Sequence, residues 1–187
     1  MNIKDIIAAA ATLLNREDIC NYLISGEVDD LTSTVKDLDI MLRCFNLVEN
    51  EIALEYKPLV CIENITTENG IVNFDILTKP IIEIIKVEDE SGNKLNYKLF
   101  HTYLKTKPEN IVVYYTYIPE KKLLTGISDY TEVEIPQRVL AMGIACEFSL
   151  ISAMYDEAVM WDKRYKDSLD RMTSKKIKQV MPARRWV

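Results

Sequence analysis

The residue types that most often carry out catalysis are few and scattered along this 187-residue chain. Its one histidine, His101, follows a predicted strand, and no serine or cysteine stands in a motif that would place it beside the imidazole. The cysteines share no CxxC spacing, and each lies in an apolar pattern typical of a small buried thiol. They are Cys20, Cys44, Cys61 and Cys146. We therefore predict reduced core cysteines, a surface histidine and no catalytic residue.

Two acidic runs contain the oxygen ligands that a hard cation prefers. They are Glu27-Val28-Asp29-Asp30 and Glu88-Asp89-Glu90. Neither matches the calcium-loop pattern, so we interpret both as solvated turns. No GxGxxG motif or phosphate-binding loop occurs, and the chain has only five glycines. We predict no metal, no cofactor and no enzymatic activity. An enzyme whose carboxylates meet only in the folded protein stays open as an alternative.

A tyrosine cluster at Tyr114, Tyr115 and Tyr117 invites comparison with the aromatic platforms on which nucleic-acid bases stack. Such platforms lie in basic grooves, whereas the charges around this predicted strand are mixed. We interpret the tyrosines as residues on the two faces of a strand, one of which packs in a core.

The charge of the chain is divided unevenly between its two ends. From Trp161 onward the chain has nine Lys and Arg residues and three Asp residues, a net charge of +6. Because the net charge of the whole chain is −6, residues 1–160 carry −12. Residues 175–187, here called the C-terminal segment, mix cations with apolar side chains, and Pro182 ends any helix there. We predict that the segment binds a partner through Lys175, Lys176, Ile177, Lys178, Val180, Met181, Arg184, Arg185 and Trp186.

Two other interpretations of the C-terminal segment stay open. Terminal residues are often poorly ordered, so the segment could simply be a frayed end. A nucleic-acid-binding regulator could instead use the basic last helix together with the segment, and it would bind duplex in a salt-sensitive way. The acidic body argues against such a regulator, because it would repel the duplex phosphates.

Apolar periodicity predicts helices at both ends of the chain. Short helices are expected over 3–15 and 18–24, with Gly26 as a left-handed cap. A longer helix starts near Thr32 or Ser33 as N-cap and stops at Pro58. Its apolar stripe is Val35, Leu38, Met41, Leu42, Phe45, Val48, Ile52 and Tyr56. Two more helices are expected, over 136–154 and from 156 onward. Their apolar positions are Val139, Leu140, Met142, Cys146, Leu150 and Ile151, then Ala158, Trp161, Tyr165, Leu169 and Met172.

Between these helices the apolar period changes from 3.6 to 2, which indicates strands. Strands are predicted over 59–62, 71–76, 81–88, 94–101, 103–105 and 111–117. The Asn69-Gly70 pair is a turn signal that separates the first two. The order predicts an α+β fold: a helical bundle of residues 1–57 and 133–174, an inserted antiparallel β-sheet or small β-sandwich of residues 58–132, and an extended tail of residues 175–187.

The order of elements resembles the head–tail connector (adaptor) proteins of tailed bacteriophages, including the tail tubular group. The likeness lies in the Ala-rich helix at Ile6 to Leu14 before the long helix from Val35 to Tyr56, and in Val133-Glu134-Ile135-Pro136 opening a helix with small residues. It continues in a closing helix at Ala158 to Tyr165 and in the extended basic end Pro182-Ala183-Arg184-Arg185-Trp186. The β segment departs from the almost wholly helical connectors of some long-tailed phages.

This resemblance implies a structural virion protein that forms a ring, commonly a dodecamer, beneath the portal. Such a ring continues the channel through which double-stranded DNA passes, and it joins the portal to a downstream tail or neck protein. The C-terminal segment would then bind the portal or a neighbouring copy. A neck or tail-completion protein further from the portal is the alternative within the same class. The location implied is the virion neck, after synthesis in the host cytoplasm. No signal peptide and no membrane span is expected.

Overall fold

The fold is described here from a computed structural model that covers residues 1–26, 28, 30–67, 69–107 and 110–173. The described elements run helices, strands, helices, which confirms the predicted α+β class. The C-terminal segment, including the predicted extended tail, lies outside the described residues. The helices are α1 (Ile3–Leu13), α2 (Glu17–Ser25), α3 (Leu31–Glu51), α4 (Gln137–Ile151) and α5 (Tyr155–Thr173).

The helix ends are fixed by local hydrogen bonds that the sequence partly predicts. Asn2 caps α1 by accepting from the Lys4 N–H at 3.1 Å. Gly26 takes the left-handed conformation expected of it, with φ 77°, after α2. For α3 the predicted caps, Thr32 and Ser33, were wrong: Asp30 is the N-cap and accepts from the Ser33 N–H at 3.1 Å. A carboxylate also suits the positive end of the helix dipole.

The helices from the two ends of the chain pack into one bundle. Helix α4 lies at its centre and contacts α1, α3 and α5. On α3 and α5, one position of each predicted apolar stripe is nevertheless substantially exposed, Val35 and Met172 respectively. The shared core buries Ile6, Ile7, Met41, Phe45, Leu140, Ile144, Trp161 and Leu169. Helix α3 continues as a π-helical turn, Ile52–Tyr56, and stops before Pro58 as predicted.

Gly143 explains how closely α4 approaches its neighbours. A Cβ added there would come within 2.8 Å of Val48 Cγ1 on α3 and 3.0 Å of Tyr165 Cε2 on α5. Both separations are shorter than normal carbon–carbon contacts, so a side chain would not fit without movement. The small residue therefore sets the spacing of the three helices.

The described strands form two three-stranded antiparallel sheets. The first has the order β1 (Leu59–Thr66), β6 (Asn110–Tyr117), β3 (Ile81–Asp89), and β3 is irregular near Glu83 and Lys86. The second has the order β2 (Ile71–Asn73), β5 (Tyr103–Lys105), β4 (Lys98–Leu99). They enclose a second core formed by Val72, Leu77, Ile84, Val87, Leu104, Ile111, Val113 and Tyr115.

The chain bends at Asn69-Gly70 as the turn signal predicts, but the strands on either side of the bend do not pair with each other. Strand β1 pairs with β6, about fifty residues later, and β2 joins the other sheet. Gly70 has φ 68°, and a Cβ there would come within 2.2 Å of the Thr106 carbonyl oxygen. The glycine thus permits a close backbone crossing, with the Thr106 N–H donating to the Gly70 carbonyl at 2.7 Å.

Two predicted strands are shorter than expected. The strand predicted over 71–76 ends at Asn73, and a 3-10 turn, Phe74–Ile76, follows it. The strand predicted over 94–101 keeps only Lys98–Leu99, with a separate bridge from Lys94 to Glu88. Alternation of apolar and polar residues does not by itself supply a pairing partner, so these stretches run partly unpaired.

Residues 118–136 return the chain from the sheets to α4 and pack on the bundle. The Asn46 side chain on α3 holds the Lys122 backbone from both sides, accepting from its N–H at 2.6 Å and donating to its carbonyl at 3.2 Å. Tyr130 is buried in the helical core and donates its hydroxyl to the Lys57 carbonyl at 2.7 Å. These bonds fix the strands against the bundle.

Glu49 is the buried anchor of this return segment. Its Oε1 accepts from the Ser128 hydroxyl at 2.7 Å and the Asp129 N–H at 2.9 Å. Its Oε2 has no hydrogen-bond partner among the residues that the structure describes. Burial raises the pKa of Glu49 above its ordinary value, and the two hydrogen bonds oppose that rise. The nearby Asp129 carboxylate also raises it, whereas Lys122 lowers it.

Candidate partner-binding surfaces

The residues predicted to bind a partner all lie in the C-terminal segment, outside the described residues. They are Lys175, Lys176, Ile177, Lys178, Val180, Met181, Arg184, Arg185 and Trp186. The structure describes the body from which this segment departs at the end of α5. The candidate surfaces described below therefore lie on that body.

A groove of about 400 Å³ runs between α4 and α5 beside the end of α3. We call it the acidic groove. Helix α3 contributes Glu51, α4 contributes Glu147, and α5 contributes Asp162 and Lys166. With all three carboxylates ionised the four charged groups sum to −2, so the groove is acidic as well as partly apolar. Its remaining lining is Gly143, Cys146, Leu150, Ala158, Val159 and Tyr165.

Glu51 at the wall of the groove is held by Tyr165. The tyrosine hydroxyl donates to Glu51 Oε2 at 3.1 Å. Burial raises the pKa of Glu51, the Tyr165 hydrogen bond opposes the rise, and the charges of Glu55 and Glu147 add to it. A cation brought into the groove would favour the ionised form of Glu51.

Across the groove, Asp162 is paired with a lysine of its own helix. Lys166 Nζ lies 2.8 Å from Asp162 Oδ1, one turn away on α5, and both side chains are about half exposed. Such an exposed pair contributes little to stability and can exchange partners at low cost. Glu147 has no such pair among the described residues, so it presents its charge to an incoming group.

The apolar part of the groove overturns a prediction from the sequence. Leu150 and Ile151 were expected to be buried, but their exposed fractions are 45% and 55%. Helix α4 ends at Ile151, and the chain turns at Ala153, with φ 59°, before α5 begins. At this corner no other described residue covers these side chains, and Val159 beside them is 71% exposed.

Sequence reasoning missed this groove, although a signal for it exists. On α4, Gly143, Glu147 and Leu150 follow the i, i+4, i+7 spacing of one helix face. On α5, Val159, Asp162 and Lys166 share a face in the same way. Acidic and apolar residues alternating along two adjacent faces indicate a surface that is neither a core nor an ordinary solvated face.

The first sheet carries a second exposed apolar surface, which we call the outer sheet face. It includes Val60 and Ile62 on β1, which are 52% and 57% exposed, and Ile85 on β3. At its centre Lys86 Nζ lies 4.0 Å from the ring centroid of Tyr114, a cation–π contact. The opposite face of the same sheet covers the β core.

The tyrosine cluster is divided between these two faces, as the sequence suggested. Tyr115 is fully buried in the β core, and its hydroxyl donates to Glu63. Tyr114 lies on the outer sheet face, and Tyr117 contacts both cores at the junction with the bundle. His101 is exposed in the turn between β4 and β5. The three tyrosines therefore do not form one continuous stacking platform.

The acidic side chains of the two acidic runs differ in their structural roles. Glu27 and Asp29 lie outside the described residues, and Asp30 caps α3. In the other run, Glu88 pairs with Lys86, Asp89 accepts from the backbone N–H groups of Ser91 and Asn93, and Glu90 accepts from a side-chain amide. Within the described ranges no group of three or more His, Cys, Asp or Glu side chains is placed to hold a metal ion.

All four cysteines are free thiols. Cys44 and Cys146 are buried as predicted, whereas Cys20 and Cys61 are only partly buried. Burial raises the pKa of Cys44 to about 12 and that of Cys146 to about 11. Both thiols are therefore protonated near neutral pH and act as small apolar groups.

Among the helices of the described ranges, none combines the length and the apolar run that crossing a bilayer requires.

Comparison with known proteins adds no family to this description. No protein-family model matches the chain, and no curated protein sequence matches it significantly.

Proposed function

We propose that this chain is a head–tail connector (adaptor) of a tailed bacteriophage virion. In this proposal it forms a ring beneath the portal, continues the DNA channel and joins the capsid to the tail. The observation that carries it is the presence, on one small chain, of two separate exposed surfaces that no other described residue covers. The acidic groove lies on the helical bundle, and the outer sheet face lies on the β part.

A connector needs several contact surfaces because it must touch its own copies and proteins on either side. Exposed apolar patches on soluble proteins commonly mark such contacts. The outer sheet face, with Val60, Ile62 and Ile85, is assigned in this proposal to the downstream tail or neck protein. The bundle is assigned to the portal and to neighbouring copies.

The charge of the body fits a wall past which DNA must slide. The chain carries −6 in total and the C-terminal segment contributes five cations and no acid, so residues 1–174 carry −6 − 5 = −11. A negatively charged surface repels the phosphates of DNA and therefore does not hold the duplex. A DNA-binding regulator has the opposite requirement, so this charge favours the connector.

Joining of heads to tails tests the proposal directly. DNA-filled heads of the phage that encodes this chain, prepared without it, should join purified tails only when the full chain is added. Heads that join tails equally well without the chain would overturn the proposal. If this chain restores joining but binds below a separate adaptor protein that already covers the portal, the neck alternative is correct.

Ile62→Asp should reduce this joining about tenfold or more. It places a charge in the middle of an apolar contact, which costs several kcal/mol when the contact forms. Ile62 is exposed, so the free protein should keep its unfolding temperature. Binding of the variant to the portal should be unchanged, as measured by co-sedimentation.

Ile24→Asp is the matched control, because Ile24 is 83% exposed on α2, away from the sheet. It should leave joining unchanged. Equal losses for the two variants would show that the outer sheet face is not the contact.

A further inference from the structure

We propose that the acidic groove binds the C-terminal segment, residues 175–187, of a second copy of this chain. The inference rests on the proposed function, because a ring is what places a second copy beside each groove. It goes further by naming the receiving surface and the class of ligand, a basic peptide with large apolar side chains.

The charges of the two surfaces are complementary. The groove presents Glu51, Glu147 and Asp162 around a single lysine. The segment carries Lys175, Lys176, Lys178, Arg184 and Arg185 and no acid. Complementary charges of this kind select partners and fix their register more than they add raw affinity. Burial is the main reason that the pKa of Glu51 is raised, and a cation bound beside Glu51 would favour its ionised form.

The apolar parts match as well. Leu150 and Val159 form an exposed wall beside the carboxylates. The segment interleaves its cations with Ile177, Val180, Met181 and Trp186. Aromatic anchors inserted into a partly apolar pocket typically dominate the affinity of such contacts. A groove of about 400 Å³ is of the size that ligand pockets commonly have.

The direction of α5 favours a second copy over the same chain. The groove is lined by α5 from Ala158 to Lys166, and the helix continues to Thr173, about 10 Å beyond the groove at 1.5 Å per residue. A return within the same chain would have to reverse direction. Of Gly, Pro, Asn, Asp and Ser, the residues that favour tight turns, residues 174–181 contain only Ser174. A neighbouring copy that lies beyond the end of α5 is reached without such a reversal.

A labelled peptide provides the test. A fluorescein-labelled peptide of residues 175–187 is titrated with the full chain, and anisotropy is recorded. Saturable binding to the wild type is expected. Glu147→Lys should weaken it about tenfold or more, because it replaces an attraction by a repulsion. Asp75→Lys, the same charge change at an exposed residue of the β part, should leave it unchanged.

Three results would overturn the proposal. Absence of binding to every variant would remove the groove as a site. Binding that Glu147→Lys and Asp75→Lys affect equally would place the contact elsewhere or make it general attraction. Binding only to a full chain whose own segment carries Lys175→Glu, Lys176→Glu and Trp186→Ala, at concentrations where the wild type is monomeric by sedimentation, would show that each groove is filled by its own chain.

The peptide titration involves neither portal nor tail, so its failure is distinct from failure of the proposed function. If the chain joins heads to tails but does not bind the peptide, the proposed function is supported and the groove is excluded as a binding site. If the chain binds the peptide through Glu147 but has no effect on joining, the groove is supported as a binding site and the proposed function is excluded.

Discussion

Glu49→Ala should lower the free energy of unfolding by about 2–4 kcal/mol. The substitution removes the acceptor of two hydrogen bonds, from the Ser128 hydroxyl and the Asp129 N–H. Both donors would stay in or near the protein interior without a partner. The return segment that connects the sheets to α4 would then lose its anchor on α3.

Glu49→Gln separates the hydrogen bonds from the charge. The amide oxygen can accept from the same two donors, so the loss seen with alanine should be largely avoided. Because burial raises the pKa of Glu49 on folding, the folded state holds its proton more tightly than the unfolded state. Wild-type stability should therefore fall as the pH rises from the ordinary value of 4.5 through the raised folded value.

The glutamine variant should not show this part of the pH dependence. Its stability relative to the wild type is expected to improve across that window and to be constant above it. Urea unfolding of the wild type and both variants between pH 4 and pH 8 measures the effect. A glutamine variant as unstable as the alanine variant at every pH would contradict this account of Glu49.

Gly143→Val should destabilise the bundle by about 2–3 kcal/mol. The added Cβ alone would lie 2.8 Å from Val48 Cγ1 and 3.0 Å from Tyr165 Cε2, and two further methyl groups would follow it. The better helix propensity of valine over glycine offsets only a few tenths of this cost. Helices α3 and α5 must move apart for the side chain to fit.

Thermal unfolding followed by circular dichroism measures this effect. Gly143→Ala should cost less, because one added side-chain carbon clashes less than three and alanine gains about 1 kcal/mol in helix propensity. Arg138→Val is the control at an exposed position on the same helix and should change stability by about 0.5 kcal/mol or less. A Gly143→Val variant as stable as the control would show that α4 is not packed as described.

Much of the helical part is predictable because its signals are local. The stripe of α3 and its stop at Pro58 follow from periodicity and from the missing N–H of proline. Gly143, one of the small residues on α4, allows close contact with the neighbouring helices. The exposed corner at Leu150 and Ile151 was not predictable from the same pattern, because periodicity does not show where a covering helix ends.

The sheets were less predictable because their partners are distant in sequence. Alternation located β1 and β6 but not the pairing between them, and the local Asn-Gly turn signal does not show which strands pair. The sequence around Glu49 on α3 gives no indication that this residue is buried. The groups that donate hydrogen bonds to its carboxylate belong to residues about eighty positions away. The acidic groove likewise joins three helices, and its sequence signal becomes meaningful only when α4 and α5 are known to be adjacent.

Electron microscopy of the purified chain mixed with the portal of the phage that encodes it tests the central claim most directly. The connector account predicts a ring of this chain stacked coaxially on the portal, with an open channel through both. Portal particles that stay bare at saturating concentrations of the chain would contradict it.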